Sequence, residues 1–294
     1  MAGILKYQHV RNYLRDPSAL IGSIVLLIFF FCAIFAPLIA PMDPYDLVSV
    51  DLGNFLLPPA WMDGSLPAFP LGTDDQGRGI LSTIIYGLRT SLIVGFSVVA
   101  FSSVIGIVMG MLAAYYGGVL DALVMRLADT VFAFSTTLLA VLLLGVFETR
   151  GVVTVIFAIC IADWVKYART IRGSVLEIKD NAYVVAARSS GAGDFRILFR
   201  HILPNALPPI FVVMAVDLAV VIMLEATLSF LGVGVPLTEP SIGMMIAIGK
   251  NYIYAGMWWL TLFPGATLIL LVVAINLFSD WLRDELNPKL ARQT

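Results

Sequence analysis

Charge is what this sequence has least of. Only 13% of its residues are Asp, Glu, Lys or Arg, against about a quarter in soluble domains. A chain so poor in charge cannot face water on all sides, and its net charge of −2 offers no basic excess suited to nucleic acid. Histidine is almost missing: His9 and His201 stand far apart, and no H-E-x-x-H run exists to hold a catalytic metal. The two cysteines, Cys32 and Cys160, fall inside apolar runs and read as buried thiols, not as a disulfide or metal pair. There is no G-x-x-x-x-G-K-[ST] loop, so the chain has no P-loop means of binding ATP. These gaps leave no catalytic residue, cofactor site or metal site to nominate.

What remains is apolar. Hydrophobic residues make up 60% of the chain, and mean hydropathy is +0.93. About 20 apolar residues in helical form cross a bilayer's hydrocarbon core. Runs of that kind predict six transmembrane helices at about 20–40, 90–116, 127–147, 151–171, 207–232 and 258–281, in one all-α membrane domain spanning 1–294. The first run, uncharged from Pro17 to Met42, is too long for a signal-peptide core and reads as an uncleaved span. Basic residues concentrate on the cytoplasmic side of membrane proteins. With both termini inside, every Lys and Arg except Arg78, Arg89, Arg150 and Lys250 falls on that side.

Two segments between spans are long. The outer one, 42–88, is rich in Pro and Asp and reads as a cap over the bundle, a docking surface, or both. The inner one, 172–205, contains Ala182 to Ser189 with helix-forming composition, followed by Gly191 and Gly193 as a left-handed stop. Asp194 is expected to cap a second short helix that Pro204 ends. Small residues at Ala186 and Ala187 allow close approach by another backbone, and Arg188 offers a charge. That is the chemistry of a helix laid in a partner's groove. An amphipathic connector resting on lipid headgroups fits the composition equally well.

The motif Val185-Ala-Ala-Arg-Ser-Ser-Gly191, followed after nine residues by His201-Ile-Leu-Pro204, resembles the EAA loop of ABC-importer permeases. Tyr183, Ala186, Ala187, Arg188, Gly191, Arg200, His201, Pro204 and Asn205 match the dipeptide/oligopeptide branch more closely. Pro70-Leu-Gly-Thr-Asp-Asp-Gln-Gly-Arg78, Ile85 to Leu92, Glu225 to Gly232, Pro264-Gly265 and Leu282 to Pro288 are similar to further segments of that branch, in the same order. Three positions depart from its pattern: Val185 replaces the acidic residue that names the loop, Gly79 replaces an acid, and Ser135 replaces a proline.

The resemblance implies a type I importer permease in the bacterial inner membrane. It implies pairing with a homologous permease, two ATPase subunits that bind ATP and Mg, and an extracytoplasmic peptide-binding protein. Tyr183, Ala186, Ala187, Arg188, Gly191, His201 and Pro204 would then couple the chain to the ATPases. Relatives that move nickel or other small solutes leave the cargo open, and an ATP-independent secondary transporter is the rival from another class.

Asp217 and Glu225 lie within the fifth span, where acids are costly and by default functional. A rise of about 1.5 Å per residue puts Asp217 near mid-membrane and Glu225 near the outer edge. Asp217 is expected either to meet a peptide's amino group in the translocation path or to be satisfied by a neighbouring helix or by the partner subunit. Glu225 reads as helping to end its span near Leu231-Gly232. His201 reads as a helix-end hydrogen-bonding residue, not a pH switch, and Trp258 and Trp259 as interfacial anchors.

Overall fold

The structure is a computed structural model that describes residues 16–45, 52–147, 151–236 and 239–286. His9, Lys6, Arg11, Arg15, Asp46, Asp51, Arg150, Lys289, Arg292 and the end of the tail motif at Asn287-Pro288 lie outside them.

The described residues are helical nearly throughout. Helix α1 covers Pro17–Ile34. Asp16 caps it, its carboxylate accepting from the Ser18 and Ala19 amides at 3.0 and 3.4 Å, and Pro17 occupies the first turn, where an amide hydrogen is not needed. The run expected to reach residue 40 breaks at Phe35, one residue before Ala36-Pro37.

Helix α2, Ile80–Tyr116, begins ten residues before the apolar run and is 37 residues long. At about 1.5 Å per residue it measures roughly 55 Å, far more than a hydrocarbon core of about 30 Å. Gly117 and Gly118, at φ +66° and +58°, stop it. The third predicted span is two helices, α3 (Gly118–Phe132) and α4 (Thr136–Val146), bent by 89° at Ala133 to Ser135.

Next come α5 (Val152–Ile178), α6 (Ala182–Ser189), α7 (Pro208–Phe230), α8 (Ile242–Gly249) and α9 (Trp259–Leu286). Among the described residues, α1, α2, α7 and α9 are long and apolar enough to cross a membrane, and the bent pair makes a fifth if counted as one. Helix α5 has the length but carries Asp163, Lys166, Arg169, Arg172 and Glu177.

Helices α2 and α5 pack at very close range because α2 presents glycine. A Cβ at Gly106 would lie 2.5 Å from the Tyr167 Cβ, and one at Gly110 would lie 2.2 Å from the Ala168 carbonyl oxygen. The Gly106-x-x-x-Gly110 spacing puts both on one face. Dispersion between close backbones replaces the hydrophobic drive that lipid does not supply. Three apolar clusters follow one another along α2. One joins α1, α2, α8 and α9 through Leu26, Ile80, Ile242 and Leu271. A second centres on Val98, Leu144, Ile159 and Leu228. The third, around Met111, Tyr167 and Ile171, closes the opposite end of α2.

Residues 52–79 form a folded cap. Thr73 Oγ1 donates to the Asn54 carbonyl at 2.5 Å and accepts from the Leu57 amide at 2.7 Å. Buried Asp74 accepts from the Arg78 amide and Nε, both at 2.8 Å. Leu56, Met62 and Leu71 pack on the first cluster, and Trp61 meets Phe263 edge-on at 6.1 Å. Trp258 is 40% exposed, but Trp259 is buried in that cluster, so only the first is a surface anchor.

Candidate functional site

The 172–205 segment folds back on the end of the bundle as a helical hairpin. Helix α5 runs to Ile178, and Lys179 Nζ donates to the Ala114 carbonyl at 3.1 Å, tying the turn to the end of α2. In α6 only Val184 is buried; it packs with Ile197, Leu198 and Ile202 against Met111, Tyr167 and Ile171. Tyr183, Ala186, Arg188 and Gly191 are exposed and Ala187 partly so, a face that the described residues leave open. Gly191 takes φ +79°, while its amide donates to the Arg188 carbonyl and the Ala192 amide to that of Ala187.

Three details differ from the sequence reading. Gly193 has φ −69° and precedes the return helix, so Gly191 alone supplies the left-handed residue. Asp194 is the first helical residue and not the cap; its carboxylate accepts from Tyr115 Oη at 2.6 Å, and the Arg188 guanidinium lies 5.6 Å from the same ring. Pro204 does not end the limb. The chain widens to a π-helical turn at Ile197–Ile202, and Pro204 falls in the first turn of Leu203–Ala206, where its missing amide hydrogen costs nothing. The His201 carbonyl accepts from Asn205 Nδ2 at 2.7 Å, so the helix-end bond at this position belongs to its backbone.

The two acids of α7 sit in separate networks. Asp217 is buried, its Oδ1 held by Lys166 Nζ and its Oδ2 accepting from Tyr167 Oη at 2.5 Å. Lys166 also meets Asp163 Oδ1 at 2.5 Å. A neighbouring helix therefore satisfies Asp217. Glu225 is fully buried and accepts from the hydroxyls of Ser91 at 2.9 Å and of Ser229 and Ser241 at 2.8 Å. Ser229 Oγ in turn accepts from the Val235 amide at 3.3 Å, so Glu225 does hold the turn after α7. It also binds α7 to α2 and to the start of α8.

Sequence reasoning missed Asp163, Lys166 and Tyr167 as partners of Asp217. The available signal was Asp163 and Lys166 at i, i+3 inside an otherwise apolar run, one face of a helix carrying opposite charges.

The model of a family described as the binding-protein-dependent transport system inner membrane component matches residues 106–292, and that of the N-terminal TM domain of oligopeptide transport permease C matches residues 7–59. This chain belongs to that transport family. Its permeases are non-catalytic, multi-pass components of the inner membrane. The chain is 40% identical to the dipeptide transport system permease protein DppC of Haemophilus influenzae, over 94% of this chain and 92% of that one. It is 35% identical to the oligopeptide transport system permease protein OppC of Bacillus subtilis, over 96% of this chain and 88% of that one. The permease fold is also found in an inward-facing structure of the MetNI methionine ABC transporter, with a TM-score of 0.57 at 21% identity, covering 70% of this chain and 96% of the matched one.

Proposed function

We infer that this permease forms half of the translocation pathway of an ATP-driven peptide importer and transmits ATPase motion to it. The relatives named for dipeptide and oligopeptide transport support the cargo. On this reading the chain crosses the membrane six times: α1, α2, the bent α3–α4 pair, α5, α7 and α9. Both termini and the 172–205 hairpin lie in the cytoplasm, where the positive-inside rule puts the hairpin's run of basic residues. A homologous permease completes the pathway, two ATPase subunits bind the ATP and Mg, and an extracytoplasmic binding protein delivers peptide.

The observation that carries this reading is the hairpin itself. Val184 pins α6 to the ends of α2 and α5, while Tyr183, Ala186 and Gly191 are exposed, Ala187 is partly so, and Arg188 is exposed beside the Tyr115 ring. A short helix so anchored works as a lever. When the ATPases close on it, the long helices behind it move as bodies and the pathway changes the side to which it opens. His201 and Pro204 shape the limb that returns into α7. With Val185 in place of an acid, Arg188 supplies the charge presented to the ATPase.

Reconstitution of the complex in proteoliposomes with labelled dialanine tests both halves of the claim. Gly191→Val, strained at a positive φ, and Arg188→Glu are expected to insert and assemble yet lose uptake while ATP hydrolysis persists. Normal uptake by both variants would overturn the coupling role.

A further inference from the structure

Asp163, Lys166 and Asp217 bring two carboxylates to one ammonium inside the bundle, and the three are not equally satisfied. Both oxygens of Asp217 are engaged, by Lys166 and by Tyr167. Asp163 gives Oδ1 to Lys166, but its Oδ2 is buried with no hydrogen-bond partner, in a side chain only 3% exposed. An uncompensated carboxylate oxygen away from water is costly and calls for a cationic or hydrogen-bonding complement.

Nearby cations do not supply it. Arg169 pairs with Asp129 at 2.7 Å, and exposed Arg283 stands at the rim of a different cleft, on the Asp217 side. Asp163 and Lys166 line a cavity of about 240 Å³ that Thr136, Thr137 and Thr227 also line. Asp163, the one-third-exposed Lys166 ammonium and three threonines thus line space large enough for the end of a small polar molecule.

We propose that this cavity is a waypoint for the cargo's primary ammonium group, with the Asp163 carboxylate turning into it as the acceptor. Lys166 and Asp217 are positioning residues: the first orients Asp163, and the second keeps Lys166 charged and in place. The threonine hydroxyls accept the ammonium's remaining hydrogens. Lys166, facing the same space, can meet a peptide carbonyl or carboxylate. This assignment rests on the peptide-importer reading and deepens it. It gives the contact with the amino group to Asp163, where the sequence alone suggested Asp217.

The experiment compares uptake of labelled dialanine and Nα-acetyl-dialanine by the reconstituted complex with its binding protein. The wild type is expected to take the free peptide and to disfavour the acetylated one. Asp163→Asn is expected to lower uptake of the free peptide by about tenfold or more, the effect of losing one charge-assisted hydrogen bond, and to leave the acetylated peptide within about twofold. Asp163→Glu keeps the carboxylate and is expected to keep the preference. Equal losses for both peptides in Asp163→Asn, the result of a structural role or of a proton shared between the carboxylates, would overturn the proposal. So would unchanged uptake in Asp163→Asn, or a lost preference in an assembled Asp163→Glu. A wild-type complex that ignores both peptides overturns the peptide reading and this assignment with it.

Discussion

Lys166 touches both carboxylates of its cluster, and removing it leaves two buried acids facing each other. Lys166→Met is expected to destabilise the permease by about 3–5 kcal/mol, the usual cost of breaking a buried pair from one side. Adding Asp217→Asn should recover part of that loss, as thermal unfolding in detergent would report. No gain in the double variant would mean the cluster is not electrostatically coupled.

Glu225 makes the opposite case, since hydroxyls alone surround its carboxylate in the described contacts. Glu225→Leu orphans Ser91, Ser229 and Ser241, at about 1–3 kcal/mol for each group left unpaired, whereas Glu225→Gln keeps one acceptor oxygen and adds an amide that can donate to a serine Oγ, and is expected to cost less. Both acids were visible in the sequence because charge is conspicuous in an apolar run. Their partners were not, because Lys166 is 51 positions from Asp217 and Ser91 is 134 from Glu225. Only the packing of α5 and α2 against α7 brings them together.

At the scale of elements, glycine separates contact from mere composition. Gly110 has no room for a Cβ against α5, so Gly110→Leu is expected to abolish the assembled permease, read as loss of the monodisperse complex after solubilisation. Gly173 lies within α5 with nothing within 4 Å of a built Cβ, and Gly173→Ala is expected to be neutral or to stabilise by up to about 1 kcal/mol.

Helices α7 and α9 lie close to the apolar runs 207–232 and 258–281, whereas α1 ends six residues short of its run. The runs failed where a helix continues past a charge. Helix α2 starts at Ile80 although Arg89 interrupts the uncharged run: the largely apolar residues 80–88 pack under the cap and on Ile242, burying polar Ser82 and Thr83, and this packing carries the helix past the charge. The 89° bend between α3 and α4 escaped for a related reason. Ala133 to Ser135 holds no proline or glycine to announce a break.

Over the whole molecule, the cap on residues 52–79 closes one end of the bundle and the 182–206 hairpin the other. In the cap, Asp75 is half buried and keeps an unpartnered Oδ1; burial first, then the neighbouring Asp74 carboxylate, pushes its pKa up. A carboxyl whose folded pKa is raised binds its proton more tightly when folded, so the cap is firmest at acidic pH and loosens as pH rises through that pKa. Asp75→Asn is expected to remove this dependence and make the cap at neutral pH as resistant to proteolysis as the wild type is in acid. An unchanged pH profile of cleavage within 52–79 would refute it. The outline of the hairpin was legible from Gly191, Ala186 and Ala187, since a turn and a small-residue face are local properties. That Val184 would be its anchor and Tyr115 its brace was not, because both depend on where α2 ends.

The unbroken length of α2 has a geometric consequence. Its first turns lie beneath the cap and its last residues brace the hairpin through Tyr115 and Asp194, with no described break in 37 residues. A tilt of only about 5° about the middle of such a rod, roughly 55 Å long, swings its two tips by some 2.4 Å each in opposite senses. A push at one face of the membrane is therefore felt as a counter-stroke at the other, with no joint along the way in which it could be absorbed.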